Sequence, residues 1–210
     1  MQEERRDVLL PLLFPLILVV VLGMIKLFEV TQDMPLVMLG IHPRHLDGLL
    51  GIITAPLVHG DWQHLLSNAS PLLLMGWMLG YFYPRAFVGV VLNSWWITGA
   101  LVWLGANSNA WHIGASGVVY AWAFFLLASG LLRRERQRSA VVALIIALYG
   151  GLVWGLMPGL EGISWESHLA GTAVGLLLAI AYRHYDIPPA EIDPFEDEVE
   201  DTGVDYKYRG

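Results

Sequence analysis

The sequence predicts an all-α, polytopic membrane protein with six transmembrane helices. Three observations carry that reading. Of the 210 residues, 56% are hydrophobic and only 15% are charged. The mean hydropathy is +0.55, more apolar than a soluble domain of this length carries. The charges gather at the two ends and in one short Arg cluster, which leaves six apolar stretches near the roughly 20 residues that a bilayer crossing needs. These run approximately over 8–28, 65–83, 86–105, 116–132, 140–157 and 167–182. Helix is the open-ended way across lipid, because each backbone polar group must be satisfied within its own segment.

The first stretch is too long for a signal-peptide core and lacks a small-residue cleavage site, so it reads as a retained anchor. The following loop, 30–62, is long for a compact bundle. It is too apolar for a free loop and too broken by Pro35, Pro43 and Pro56 for a spanning helix. An interfacial segment lying along the outer leaflet fits it best. The second stretch follows His59-Gly60-Asp61-Trp62-Gln63-His64, and the third ends in the polar link Asn107-Ser108-Asn109. The fourth opens with Gly114-Ala115-Ser116-Gly117, the fifth follows Arg133-Arg134-Glu135-Arg136-Gln137-Arg138, and the sixth opens around His168-Leu169-Ala170-Gly171. Trp62, Tyr81, Tyr83, Trp103, Trp111, Trp165, Tyr182 and Tyr185 fall near segment ends, as an aromatic belt would.

Arg5, Arg6, Arg85, the Arg133–Arg138 cluster and Arg183 all fall on one side if there are six crossings, which predicts cytoplasmic termini. Ser116 and His168 then open helices at the outer face, in a plasma (inner) membrane. The bundle occupies 1–184. An acidic tail, 185–210, contains Asp186, Glu191, Asp193, Glu196, Asp197, Glu198, Glu200, Asp201 and Asp205 and reads as disordered. It accounts for the net charge of −7. No basic surface suits nucleic acid. The chain has no cysteine, which excludes disulfides, thiolate catalysis and Cys-based zinc sites. A metal site from His59, His64 and His168 lacks a carboxylate and any HExxH spacing, and neither metal nor cofactor is expected.

Chemistry concentrates at three places. Ser116 alone suits a structural hydroxyl bonding to its own backbone or to a neighbouring helix. Its flanking Gly114 and Gly117 add close backbone approach, and a helix start leaves N–H groups for a developing oxyanion. His168 is an ionisable group in a spanning helix, a costly placement that tends to be functional. Gly171 and Gly175 share its face, so a second helix can approach closely. A packing seam with an interfacial histidine and a general base both remain open from these residues. His64 and Asn68 lie one helical turn apart and can both donate to an anionic oxygen, or make ordinary polar contacts.

Taken together, His64-x-x-x-Asn68, Gly114-x-Ser116-Gly117 and His168-x-x-Gly171-x-x-x-Gly175 resemble the rhomboid intramembrane serine proteases in order, spacing and side of the membrane. The resemblance implies a six-helix rhomboid-like bundle. It implies Ser116 as nucleophile and His168 as base in a dyad without aspartate, with His64 and Asn68 on the oxyanion. The Tyr120 position commonly packs an aromatic ring on the base, although ordinary core packing explains that residue equally. With no aspartate, the base must be oriented by packing alone. The implied partners are the bilayer and single-pass transmembrane substrates, unwound locally and cut near the outer boundary after entry beside the fifth helix. One departure stands out: many rhomboids carry a Trp-Arg pair in the first outer loop, where this chain reads Leu49-Leu50-Gly51-Ile52-Ile53. A rhomboid-like pseudoenzyme that escorts membrane proteins is the alternative, although it would lack the nucleophile or base. A transporter would want mid-depth charges or broken helices, and segments four and five are nearly charge-free.

Overall fold

The computed structural model describes residues 2–133, 136–159 and 162–187. Among the described residues seven α-helices run in order: α1 Gln2–Thr31, α2 Gly51–Thr54, α3 Trp62–Phe82, α4 Phe87–Gly105, α5 Ser116–Arg133, α6 Arg136–Tyr149 and α7 Trp165–Ala181. The six long ones overlap the six apolar stretches; α3, α4, α5 and α7 match them to within three residues, whereas α1 begins six residues earlier and α6 ends eight residues earlier. The remainder of the acidic tail, 188–210, lies outside the described residues, and with it the expectation of disorder there.

Helix α5 is central and touches α3, α4, α6 and α7. Val118, Ala121, Trp122, Phe125 and Leu126 on it are buried. The indole N–H of Trp122 donates to Ser94 Oγ on α4 at 2.9 Å, so this buried ring has its polar atom satisfied. Helix α1 instead turns Leu9, Leu13, Ile17, Val20 and Met24 outward. An apolar exterior on a packed bundle is the surface that lipid requires. By length and composition α1, α4, α5 and the run Arg138–Leu156 suffice to cross a membrane. Helix α7 is a shorter apolar helix of 17 residues, about 26 Å long at 1.5 Å per residue.

One expectation changes. The fifth stretch is not one continuous α-helix: α6 ends at Tyr149, and Gly150–Leu156 continues as a 3₁₀ turn. Gly150-Gly151 sits at the change, where helix propensity is lowest. The loop between α1 and α3 is a folded layer. It contains α2 and three short 3₁₀ turns. It pairs with the α4–α5 link through a two-way bridge, in which Ile41 N–H donates to His112 O at 2.9 Å and His112 N–H to Ile41 O at 2.8 Å. Arg44 Nη1 donates to Ala106 O at 2.8 Å. Trp103 Nε1 donates to His45 O at 3.0 Å and Trp95 Nε1 to Ile53 O at 2.9 Å. Trp103 is therefore a clasp between loop and helix, and Arg44 with the two indoles fastens this loop where a Trp-Arg pair is missing.

At the far end, Asp186 accepts from the N–H groups of Arg85 and Ala86 at 2.9 and 3.0 Å, and Arg133 donates to Tyr182 O at 2.7 Å. Arg85, Arg133 and the chain beyond α7 thus share one end of the bundle, while Ser116 and His168 open their helices at the other.

Candidate active site

The seam between α5 and α7 brings the two helix starts together. Gly171 and Gly175 of α7 lie against the α5 backbone so closely that a Cβ on Gly171 would sit 2.0 Å from Gly117 O, and one on Gly175 would sit 2.3 Å from Ala121 O. Across that contact Ser116 Oγ lies 2.9 Å from His168 Nε2. The other ring nitrogen, Nδ1, lies 2.8 Å from Gly155 O. A carbonyl only accepts, so the neutral ring carries its proton on Nδ1 and presents a lone pair at Nε2 to the serine hydroxyl. That tautomer is assigned from the hydrogen-bond network. Packing alone therefore does not orient the His168 ring. Gly155 lies near the end of the 3₁₀ turn, and its carbonyl is open because Pro158, three residues on, has no N–H to donate to it.

Tyr120 supplies the packing. Its ring stacks on the His168 ring with centroids 4.1 Å apart and planes 8° apart. Its hydroxyl donates to Leu152 O at 2.6 Å, a second carbonyl of the same 3₁₀ turn. Gly155 was not singled out by the sequence reading. A Cβ there would meet Tyr120 Oη at 2.1 Å and His168 Nδ1 at 2.9 Å, so only glycine fits between ring and base. The Gly150-Gly151-x-x-x-Gly155 spacing in an apolar stretch was the available signal. Tyr120→Phe, which keeps the stacked ring, is expected to reduce turnover only a few-fold, by about 1 kcal/mol for one hydrogen bond. Tyr120→Ala removes the ring and should cost on the order of 10²-fold through a misplaced base. A kcat ratio near one between the two variants in a cleavage assay would reject the ring's orienting role.

His64 and Asn68 lie at the start of α3. Asp61 caps that helix by accepting from His64 N–H at 2.7 Å. His64 Nδ1 faces the Gly60 N–H at 3.4 Å, which leaves Nε2 to carry a proton toward the Gly114–Ser116 segment. Gly114 makes room for that edge: its φ is +102°, and a Cβ on it would lie 2.6 Å from His64 Nε2. Asn68 gives one amide hydrogen to His64 O at 3.0 Å and keeps the other. Ser116, His168, His64, Asn68 and Tyr120 all line one cavity of about 890 Å³. The α4–α5 link, the 3₁₀ turn and the segment before α7 contribute its other walls.

Two further networks were missed in sequence. Lys26, buried in α1, pairs with Glu29 at 2.8 Å and donates to Gly60 O at 2.8 Å and His59 O at 3.1 Å. It ties the anchor helix to the turn that leads into His64. A Lys-x-x-Glu pair inside an apolar helix was its signature. His112 and Ser164 lie 2.6 Å apart (Nδ1 to Oγ), and Ser164 caps α7 by accepting from Ser167 N–H. His112 thereby joins the loop layer to the helix that carries His168.

His59 is buried, and Ala115 N–H approaches its Nε2 at 3.4 Å. Burial pushes its pKa down from 6.5 to about 4, and the neighbouring His64 and Lys26 add to the shift, against the Leu57 carbonyl and Asp61, which oppose it. A depressed histidine stays neutral in the fold while the unfolded chain takes up a proton below pH 6.5. Stability from this group is therefore complete above 6.5 and is lost as pH falls toward 4, by about 3 kcal/mol. His59→Gln should flatten the dependence of melting temperature on pH across that window. Parallel curves for variant and wild type would contradict it.

An all-helical membrane bundle with a serine–histidine pair in an open cavity defines the class. The Rhomboid domain family model matches residues 47–185, and the chain belongs to the rhomboid family. An uncharacterized protein of Mycobacterium tuberculosis is 35% identical over 169 residues, covering 77% of this chain and 70% of that protein. Human rhomboid-related protein 3 is 30% identical over 159 residues, covering 69% of this chain and 39% of its own length. The chloroplastic rhomboid-like protein 11 of Arabidopsis thaliana is 28% identical over 166 residues, covering 67% of this chain and 54% of that protein.

Proposed function

We propose that this chain is an intramembrane serine endopeptidase that cuts single-pass transmembrane proteins near the membrane boundary at which Ser116 stands. Family membership supports the reading, and one observation carries it: the 2.9 Å contact of Ser116 Oγ with a His168 ring held in the accepting tautomer. A pseudoenzyme has no need of a base aligned on a hydroxyl.

In this reaction Ser116 Oγ attacks the scissile carbonyl carbon while its proton passes to His168 Nε2. The imidazolium keeps its Nδ1–H on Gly155 O, and the face of Tyr120 lies against the cation. The carbonyl oxygen takes the negative charge and is held by N–H groups at the α5 start, His64 Nε2–H and the spare Asn68 hydrogen. Collapse breaks the C–N bond, and the leaving amine takes the proton from Nε2. Water from the cavity then gives a proton to Nε2 and attacks the acyl ester; collapse breaks the ester C–O bond, and Ser116 Oγ takes the proton back from Nε2. A helical substrate shields its carbonyls, so helix-breaking residues near the cut should favour cleavage.

The chain crosses the membrane six times in this reading, with both termini in the cytoplasm and the cavity facing outward, as the placement of Arg85, Arg133 and Arg183 supports. The test pairs two measurements on the purified full chain: fluorophosphonate labelling mapped by mass, and cleavage of a tagged single-pass protein. Labelling confined to Ser116 together with cut products is the expected result. An intact substrate and an unlabelled Ser116 would leave an escort role in its place.

A further inference from the structure

The loop between α1 and α3 carries His42, His45 and Asp47 in the pattern His-x-x-His-x-Asp. One ligand atom from each lies within 4.8 Å of the others. His42 Nδ1 stands 3.1 Å from Asp47 Oδ1, and its Nε2 stands 3.2 Å from Ser108 O. Both partners are oxygen acceptors, whereas a neutral imidazole has one N–H to give. With Nε2 donating to Ser108 O, the Nδ1 lone pair is aimed at a carboxylate oxygen. That contact is favourable when a cation is shared between the two atoms. The His45 ring lies parallel to the His42 ring, with centroids 3.8 Å apart and planes 2° apart. A His45 ring nitrogen already lies within 4.8 Å of the other two ligand atoms, and a turn of that exposed side chain out of the stack brings its lone pair to the same point.

We propose that His42, His45 and Asp47 bind a divalent transition cation of the zinc class. Two imidazoles and one carboxylate suit zinc, with ligand bonds of about 2.0–2.2 Å, rather than calcium or magnesium, which take oxygen sets. Those bond lengths put ligand atoms roughly 3.3 Å apart in a tetrahedron, close to the 3.1 Å between His42 Nδ1 and Asp47 Oδ1. His45 and Asp47 are exposed and free to close the remaining gap. The Ser108 carbonyl on the far nitrogen of His42 is the outer partner that metal-bound histidines carry, and it sets the ring's orientation and tautomer.

The site has a structural consequence. Ser108 belongs to the α4–α5 link, and the Trp111 ring lies 4.5 Å from that of His42. That link runs on to Gly114 and Ser116. A cation held by the loop ligands would fasten the loop to the segment that carries the nucleophile. The site depends on none of the roles assigned to Ser116 or His168.

The experiment uses the full chain in detergent micelles, without a polyhistidine tag and stripped with a chelator. Titration with zinc chloride should give one saturable site per chain, magnesium chloride should give none, and saturating zinc should raise the melting temperature by about 5 °C. His45→Ala and Asp47→Asn should each weaken zinc binding at least about tenfold while Ser116 labelling stays at the wild-type level. Both positions are exposed, where substitutions shift stability little. Cobalt(II) added to the wild-type chain gives an independent readout: intense visible d–d absorption is expected for four-coordinate nitrogen and oxygen ligation. No saturable zinc uptake, or a zinc affinity unchanged in both variants, would overturn the site and leave a proton as the cation between His42 and Asp47.

Discussion

Ser116→Ala and His168→Ala are each expected to lower cleavage of a transmembrane substrate by about 10⁴- to 10⁶-fold while the protein still inserts and folds. The size follows from the geometry. The hydroxyl is a weak nucleophile unless a base takes its proton during attack, and His168 Nε2, at 2.9 Å, is the group in place to take it. Either loss disables the same step, so the double variant should be no slower than the slower single one. Activity left above the uncatalysed rate would come from the oxyanion donors. Asn68→Ala should accordingly cost only about 10²-fold. Turnover of either single variant within tenfold of wild type would remove the proteolytic reading.

Gly171→Ala is expected to destabilise the bundle by about 3 kcal/mol, a fall of about 10 °C in melting temperature. The added methyl would sit 2.0 Å from the Gly117 carbonyl oxygen, where the neighbour is backbone and cannot rotate aside. On propensity alone, Ala should gain about 1 kcal/mol over Gly inside a helix. A loss therefore isolates the clash. Gly23→Ala in α1 is the control, since nothing lies within 4 Å of a Cβ there, and it should be neutral or stabilising. The seam also sets the chemistry: Gly171 lies one turn beyond His168, so forcing α7 off α5 lengthens the Ser116–His168 contact. Stability of Gly171→Ala equal to wild type would show that the seam tolerates spreading.

Helix positions were legible because lipid imposes a single local solution, and length and apolarity suffice to recognise it. Ser116, His168, Gly171 and Gly175 were legible because a hydroxyl, an imidazole and paired glycines are out of place in an apolar helix unless they meet something. Gly155 escaped because its role is a carbonyl, which every residue has, and because what reserves the position for glycine is the Tyr120 ring from another helix. Lys26 shows its pairing with Glu29 in sequence, but its tie to the turn before α3 escaped because those partners, the carbonyls of His59 and Gly60, are backbone atoms distant in sequence. Asn68 and His64 were visible as donors. Which of their hydrogens remain for an oxyanion depends on the Asp61 cap, the Gly60 N–H and the turn between them.

The order of residues by itself determined a helical membrane bundle and the approximate place of its segments, which depend on local hydropathy. The pairing of Ser116 with His168 was implied by the resemblance of three motifs rather than by spacing along one helix. Tertiary structure alone decided how the His168 ring is held and how the loop is fastened. Each of these rests on backbone carbonyls brought from remote positions. A carbonyl carries no signature in the side-chain pattern until the chain has folded around it.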